Sequence, residues 1–159
     1  MNIGRVAGVF YLGTFVTGLV ALAAGVGLTA ANGIATICYV GVTALFYVLF
    51  RRVDPAVSAI AAAFSFAGCL VSALLMFHVR VPISPLALFG CYCILLGYLI
   101  AKSTFMPRAL GVAMAIGGAS WLTFAVPTVA RALAPFNYAP GILAEGALTM
   151  FLLVKGADA

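Results

Sequence analysis

The sequence predicts an all-α membrane protein, a bundle of six transmembrane helices formed by a single domain over residues 1–159. Three observations support this fold class. No charged residue occurs between Val6 and Phe50. Only 7% of the residues are charged and 66% are hydrophobic, whereas a soluble domain has roughly 25% charged residues. Further apolar segments of membrane-spanning length follow, and only one of them contains a charge, at Glu145.

The first apolar run, residues 6–50, is too long for one crossing, because a helix crosses the ~30 Å hydrocarbon core with about 20 residues. Gly and Asn favour turns, so the turn is predicted at Gly25, Gly27, Asn32 and Gly33. The first two helices then cover about 6–30 and 34–50. The first apolar segment is longer than the core of a cleaved signal peptide, so we expect it to be retained.

Charged and proline-containing segments separate the remaining helices. The clearest boundary is Arg-Arg-Val-Asp-Pro at 51–55, since charges are excluded from the membrane core and proline suits the first turn of a helix. Turns at 79–85 and 102–108 and a polar-aromatic connection at 127–138 follow. The predicted helices therefore cover about 55–78, 85–101, 107–126 and 140–155.

The distribution of Lys and Arg predicts the orientation. With six helices, one side of the membrane holds both termini and two of the loops, and it carries six of the eight basic residues: Arg5, Arg51, Arg52, Lys102, Arg108 and Lys155. The other side has only Arg80 and Arg131. Because basic residues are retained in the cytoplasm, both termini are predicted to be cytoplasmic, in a plasma (inner) membrane. The net charge of +5 fits this asymmetry better than nucleic-acid binding.

Small residues recur at helical spacing and predict where helices approach closely. Examples are Gly4 with Gly8, Gly90 with Gly97, and the series Ala61, Ser65, Cys69 and Ala73. Packing within one bundle is the favoured interpretation, and a dimer interface is the alternative. The four cysteines show no zinc or Cys-x-x-Cys spacing and are interpreted as small packing residues.

Gly-Tyr-Leu-Ile-Ala-Lys-Ser-Thr-Phe-Met-Pro-Arg-Ala-Leu-Gly at 97–111 resembles the family known as domain of unknown function 4386. Segments 5–12, 45–52, 140–146 and 152–156 agree with this resemblance. It implies a bacterial multi-pass membrane protein, usually of six helices, and it brings no established catalytic residues. Members of the family are typically longer, and this chain departs from them in its very short outer loops.

Glu145 is the only acidic residue within a predicted span, and an ionisable residue in a span is by default a functional hypothesis. At 1.5 Å per residue it lies about 8 Å inside the outer end of its helix. His78, Arg80, Arg131 and Asn32 are placed on or near the same outer side. These five residues are the predicted ligand or proton site, and the alternative is a structural Glu145 bonded to neighbouring helices or to Arg80 or Arg131. Trp121 is predicted to be a core residue.

Three functions remain open. The first is a non-enzymatic module that binds a lipid or small apolar molecule, or an accessory subunit of a membrane complex or homo-oligomer. The second is a small transporter coupled to protons through Glu145. The third, an enzyme acting on a lipid with Glu145 and His78 as acid and base, ranks last because no nucleophile or metal site is evident. A single histidine excludes a bis-histidine haem, and we predict no metal and no cofactor.

Overall fold

The computed structural model of the chain describes residues 2–24 and 28–157, without the side chains of residue 19 and residues 21–29. Seven α-helices and no strands form in these residues. They are α1 Ile3–Ala24, α2 Leu28–Phe50, α3 Pro55–Met76, α4 Pro85–Lys102, α5 Arg108–Leu122, α6 Pro127–Leu133 and α7 Ala139–Val154. Short 3-10 turns at Thr123–Ala125 and Phe136–Tyr138 flank α6.

The predicted helical membrane bundle is confirmed. Five of the described helical segments are long and apolar enough to cross a bilayer: Ala30–Phe50, Pro55–Met76, Pro85–Lys102, Arg108–Ala125 and Phe136–Val154. The sixth long helix, α1, is also apolar and has 22 residues. Large aliphatic side chains face outward, with Ile37 and Leu143 each 70% exposed. Such an apolar exterior is suited to lipid, which requires no polar surface.

The six long helices form a closed ring. Each of α1 to α4 packs against the next helix in sequence, and α7 packs against both α5 and α1. The Gly4 amide donates a hydrogen bond to the Ala157 carbonyl at 3.0 Å, and the Ala157 amide donates to Asn2 Oδ1 at 3.2 Å. The two ends of the chain therefore lie together at one end of the bundle, as an even number of crossings requires.

The predicted turn between the first two helices is partly wrong. Asn32 and Gly33 lie inside α2, which begins at Leu28, while Gly25 and Gly27 fall outside the described residues. A glycine is tolerated in a membrane helix because the helix satisfies its own backbone hydrogen bonds. The space beside Gly33, where a side chain would project, contains no atom within 4 Å. Glycine composition alone therefore misplaced this boundary.

Two other boundaries differ from the predictions. Helix α3 ends at Met76, two residues early, because His78 adopts a left-handed backbone with φ of 59°. The connection 127–138 contains the short helix α6, which has Pro127 in its first turn, where proline is favoured. Asn137 fixes this connection to the bundle through its Nδ2, which donates to Thr123 Oγ1 at 3.1 Å.

The predicted small-residue contacts are confirmed within the chain. Ala61, Ser65 and Cys69 of the predicted series are buried on α3. On α4 and α5, a Cβ added to Gly97 would lie 2.6 Å from the Gly111 carbonyl oxygen, and one added to Gly90 would lie 2.8 Å from that of Gly118. Glycines at these positions let the two backbones touch, which is how membrane helices associate without a hydrophobic driving force.

An ion pair closes the end of the bundle that holds the chain termini. Asp54 caps α3 by accepting a hydrogen bond from the Val57 amide at 3.2 Å, and it pairs with Lys102 at 2.8 Å. The Lys102 hydrogen bond and the Val57 amide hold the pKa of this carboxyl group below its usual value of 3.8. The contact joins the turn before α3 to the end of α4.

Candidate functional site

A cavity of about 520 Å³ extends from the middle of the bundle to the end opposite the chain termini. It lies among the first half of α2, the second half of α3 and the start of α4, with α1, α5 and α7 at its inner part. Its lining is mainly apolar and aromatic, with a few hydroxyl groups. The lining residues are Thr14, Asn32, Ala35, Thr36, Tyr39, Cys69, Ser72, Leu75, Met76, His78, Pro85, Leu86, Phe89, Trp121 and Glu145.

Glu145 lies at the inner end of this cavity and is only 9% exposed. Its Oε1 accepts a hydrogen bond from Trp121 Nε1 at 3.0 Å and a longer one from Cys93 Sγ at 3.6 Å. The Tyr11 hydroxyl also interacts with this carboxyl group. The donors to Oε1 are uncharged, and both act on the same oxygen, so they do not occupy Oε2.

Glu145 lies about as far along its helix as the sequence predicted, since it is six residues beyond Ala139, about 9 Å along α7 at 1.5 Å per residue. Because α7 has only 16 residues, this position is near the middle of the helix. Tyr11, which interacts with the Glu145 carboxyl group, has its hydroxyl 3.4 Å from the hydroxyl of Tyr39. Tyr39 is the twelfth of the 23 residues of α2 and so lies at the middle of that helix. The carboxyl group therefore lies near the middle of the bundle.

Three buried tyrosines surround the inner end of the cavity. The Tyr39 ring contacts those of Tyr11 and Tyr92 at centroid distances of 5.6 and 6.1 Å. The Tyr92 hydroxyl is buried and has no hydrogen-bond partner among the residues that the structure describes. Tyrosines on α1, α2 and α4 thus place polar groups in the interior of an apolar bundle.

Close packing against Gly141 fixes the orientation of Trp121. A Cβ at Gly141 would collide with the indole ring, so only glycine leaves room for it. The rings of Phe124 and Tyr138 contact the indole from another side, each at a centroid distance of 5.9 Å. Trp121 is buried in the core, as predicted, and it is also a wall of the cavity and the main hydrogen-bond donor to Glu145.

Three of the five predicted site residues line the cavity. Glu145 lies at its inner end, Asn32 on its side and His78 at its outer end. Arg80 and Arg131 are exposed and are not among the lining residues. Arg131 Nε instead donates to the Pro127 carbonyl of its own short helix at 3.2 Å.

The expected ion pair of Glu145 with Arg80 or Arg131 is not formed. Glu145 instead accepts hydrogen bonds from Trp121 and Cys93. The depth of Glu145 explains the difference, because its neighbours come from the middle of the bundle and both arginines lie at one end.

Sequence reasoning missed Tyr11, Tyr39, Tyr92 and Cys93 as neighbours of Glu145. The one feature of the sequence that could have pointed to these residues is that each carries a hydroxyl or thiol group within an apolar segment. Among the described residues, no three His, Cys, Asp or Glu side chains lie close enough to hold a metal ion. The arrangement offers a hydrogen-bonding carboxyl group, aromatic faces and hydroxyl groups to a bound molecule.

Comparison with protein families matches residues 74–156, just over half of the chain, to the family described as Domain of unknown function (DUF4386). No curated protein and no solved structure shows a significant match. The matched region begins near the end of α3 and includes α4 to α7, and therefore Cys93, Trp121 and Glu145. The chain belongs to the family Domain of unknown function (DUF4386).

Proposed function

We propose that this membrane protein binds a small amphipathic molecule in the cavity that ends at Glu145. The observation that carries the proposal is a cavity of about 520 Å³ with a single carboxyl group at its inner end. Ligand pockets typically have volumes of about 300–1,000 Å³ and combine apolar walls with a few polar groups that orient the ligand. A molecule the size of a small drug or a short lipid fragment fits this description.

The lining suggests how such a molecule is oriented. Leu75, Met76 and Leu86 lie toward the outer end and offer contact to an apolar body. The carboxyl group of Glu145 lies deeper and receives the polar group. If the basic residues near the termini are cytoplasmic, the cavity opens to the outer side of the plasma membrane.

Proton-coupled transport is the second candidate, and the uncharged donors around Glu145 favour it. A carboxyl group with no cation beside it in the described structure can alternate between a proton and a substrate. Uptake into proteoliposomes tests this function. A pH gradient that drives accumulation of a bound molecule supports transport, and binding without accumulation supports a binding module.

Filling the cavity tests the binding proposal. Ser72→Phe places a ring in the cavity from α3, whereas Ala63→Phe adds the same ring on an exposed face of that helix. Each variant is extracted with its surrounding lipid by an amphipathic polymer and examined by native mass spectrometry. A small molecule retained by the wild type and by Ala63→Phe, and lost from Ser72→Phe, supports the proposal.

A direct probe complements this comparison. The probe is 6-phenylhexan-1-ol, an uncharged amphipathic molecule with a phenyl group and a terminal hydroxyl group, and its binding is monitored through the emission of Trp121, the single tryptophan. Saturable binding to the wild type and to Ala63→Phe, but not to a Ser72→Phe protein with an unchanged melting temperature, is expected. Equal responses in all three proteins contradict the proposal.

A further inference from the structure

We propose that the cavity selects amphipathic cations of the ammonium type over uncharged molecules of the same shape. The inference rests on the proposed binding function and specifies the chemical class of the ligand. Its basis is a charge imbalance within the cavity. No Lys or Arg is among the described lining residues, and the acidic residue among them is Glu145, with His78 at the outer end.

The environment of Glu145 leaves it available to a cation. Its hydrogen bonds from Trp121 and Cys93 both end on Oε1, and the Tyr11 hydroxyl is a further neutral partner of the carboxyl group. The donors are neutral, so they orient the carboxyl group without neutralising its charge. An ionised carboxylate in apolar surroundings is costly unless it is paired, and a bound ammonium group supplies the missing partner.

Aromatic rings beside the carboxyl group provide a second interaction with a cation. Tyr39, Phe89 and Trp121 line the same cavity as Glu145, and the rings of Tyr39 and Phe89 lie 4.6 Å apart between centroids. Ammonium groups are attracted to the faces of such rings, and aromatic cages recognise methylated ammonium groups in this way. An uncharged molecule gains apolar contact here but neither of the charge-dependent interactions.

Proton and cation compete for the same group in this arrangement. When the carboxyl group is protonated, it releases its proton to water as the ammonium group arrives, and the carboxylate then pairs with the cation. Charge is conserved, because one positive charge leaves the site and one enters. The affinity for a permanent cation therefore increases with pH, while the affinity for an uncharged molecule does not change.

The pH dependence due to Glu145 must be distinguished from that of other titratable groups near the site. The titratable side chains that face Glu145 or line the cavity come from α1 to α4 and from the turn between α3 and α4; they are Tyr11, Tyr39, Cys69, Tyr92, Cys93 and His78. Histidine is the side chain that ordinarily changes charge around neutral pH, and protonated His78 would repel a cation with the same pH dependence. His78→Asn removes this charge and keeps a residue that tolerates the left-handed backbone.

The experiment compares two probes that share one shape. One is 4-phenylbutyltrimethylammonium, a permanent cation that carries no titratable proton, and the other is its uncharged analogue (5,5-dimethylhexyl)benzene. Binding is measured in nanodiscs of zwitterionic lipid between about pH 5 and pH 8, the range in which histidine titrates. At the upper pH we expect the wild type to bind the cation at least about tenfold more tightly than the uncharged analogue, as a cation–π contact with a charge pair implies. We expect this preference to be smaller at the lower pH.

Two variants show whether the preference for the cation depends on Glu145 or on His78. His78→Asn is expected to retain both the preference and its pH dependence. Glu145→Gln is expected to lose both, so that its affinities for the two probes no longer differ. If Glu145→Gln does not melt like the wild type, the pH dependence of the wild type and of His78→Asn decides the question.

Each remaining outcome has a clear meaning. Equal affinity for the two probes, or a preference that survives in Glu145→Gln, overturns the cation inference and leaves the proposed binding function intact. A pH dependence that disappears in His78→Asn overturns the assignment to Glu145. If neither probe binds the wild type, both the inference and the proposed function are wrong.

Discussion

Trp121 and Glu145 are joined by a hydrogen bond in the middle of the bundle, with Nε1 3.0 Å from Oε1. The contact crosses from α5 to α7 and fixes the one acidic side chain within the predicted spans. No cation pairs with Glu145 among the described residues, so of the two structural roles considered for it, bonding to neighbouring helices is the one observed and an ion pair with an arginine is not.

Substitutions of Glu145 should therefore depend on hydrogen bonding and not on charge. Glu145→Gln keeps an oxygen that accepts from Trp121 and should change the free energy of unfolding by less than about 1 kcal/mol. Glu145→Leu leaves the buried indole N–H unpaired and should destabilise the protein by about 1–3 kcal/mol. Thermal and denaturant unfolding in detergent measure both. A strongly destabilised Gln variant would show that Glu145 has a charged partner.

The contact between α4 and α5 should be sensitive to a single methyl group. Gly97→Ala places Cβ against the Gly111 carbonyl and should cost about 1–3 kcal/mol, as overpacking of a tight interface does. Gly33→Ala is the matched control, since its Cβ meets no atom within 4 Å, and it should be neutral or stabilising by up to roughly 1 kcal/mol. Equal melting temperatures for the two variants would contradict this account of the interface.

Tyr92 offers a test of the buried polar groups. Its hydroxyl is without a partner in the described part of the chain, so Tyr92→Phe removes a desolvation cost and should leave stability unchanged or raise it by about 1 kcal/mol. The control is Thr43→Val, which removes a buried hydroxyl that is hydrogen bonded to Ser65 at 2.6 Å and should be destabilising. Loss of stability in Tyr92→Phe comparable to that in Thr43→Val would refute the argument.

The Asp54–Lys102 pair makes stability depend on pH in the acidic range. Since the pKa of Asp54 is lowered in the folded protein, its contribution is fully present above the ordinary value of 3.8. It is lost as the pH falls through the lower, folded-state pKa. Asp54→Ala should reduce the melting temperature at neutral pH and reduce its acid dependence. Asp54→Asn, which can still cap α3, should lose less at neutral pH, and identical effects of the two changes would exclude a capping role.

The orientation remains a prediction from the basic residues, with both termini in the cytoplasm. Reporter fusions at residue 1 and at residue 159 should both report a cytoplasmic location. The contacts of Gly4 and Asn2 with Ala157 require the two fusions to agree. Two external reporters would reverse the orientation, and opposite locations would show an odd number of crossings.

The sequence by itself determined the membrane class, the helical fold and most helix boundaries. These follow from local properties: an uncharged run must leave water, and Arg51, Asp54 and Pro55 must end or begin a span wherever the rest of the chain lies. The spacing of small residues also identified Ser65 and Cys69 as packing positions. The turn signals failed at Asn32 and Gly33, because a turn preference is overridden where a membrane helix continues to satisfy its own backbone.

Only the tertiary structure decided what surrounds Glu145. Tyr11 and Cys93 reach this carboxyl group because α7 closes the ring against α1 and α5 and brings positions more than fifty residues apart in sequence to one level. No local sequence pattern specifies that these residues share the same depth in the bundle. From the sequence, partners for Glu145 could therefore be proposed only among residues on the same side of the membrane. The sequence thus assigned Arg80 and Arg131, whose positions at one end of the bundle keep them away from a carboxyl group near its middle.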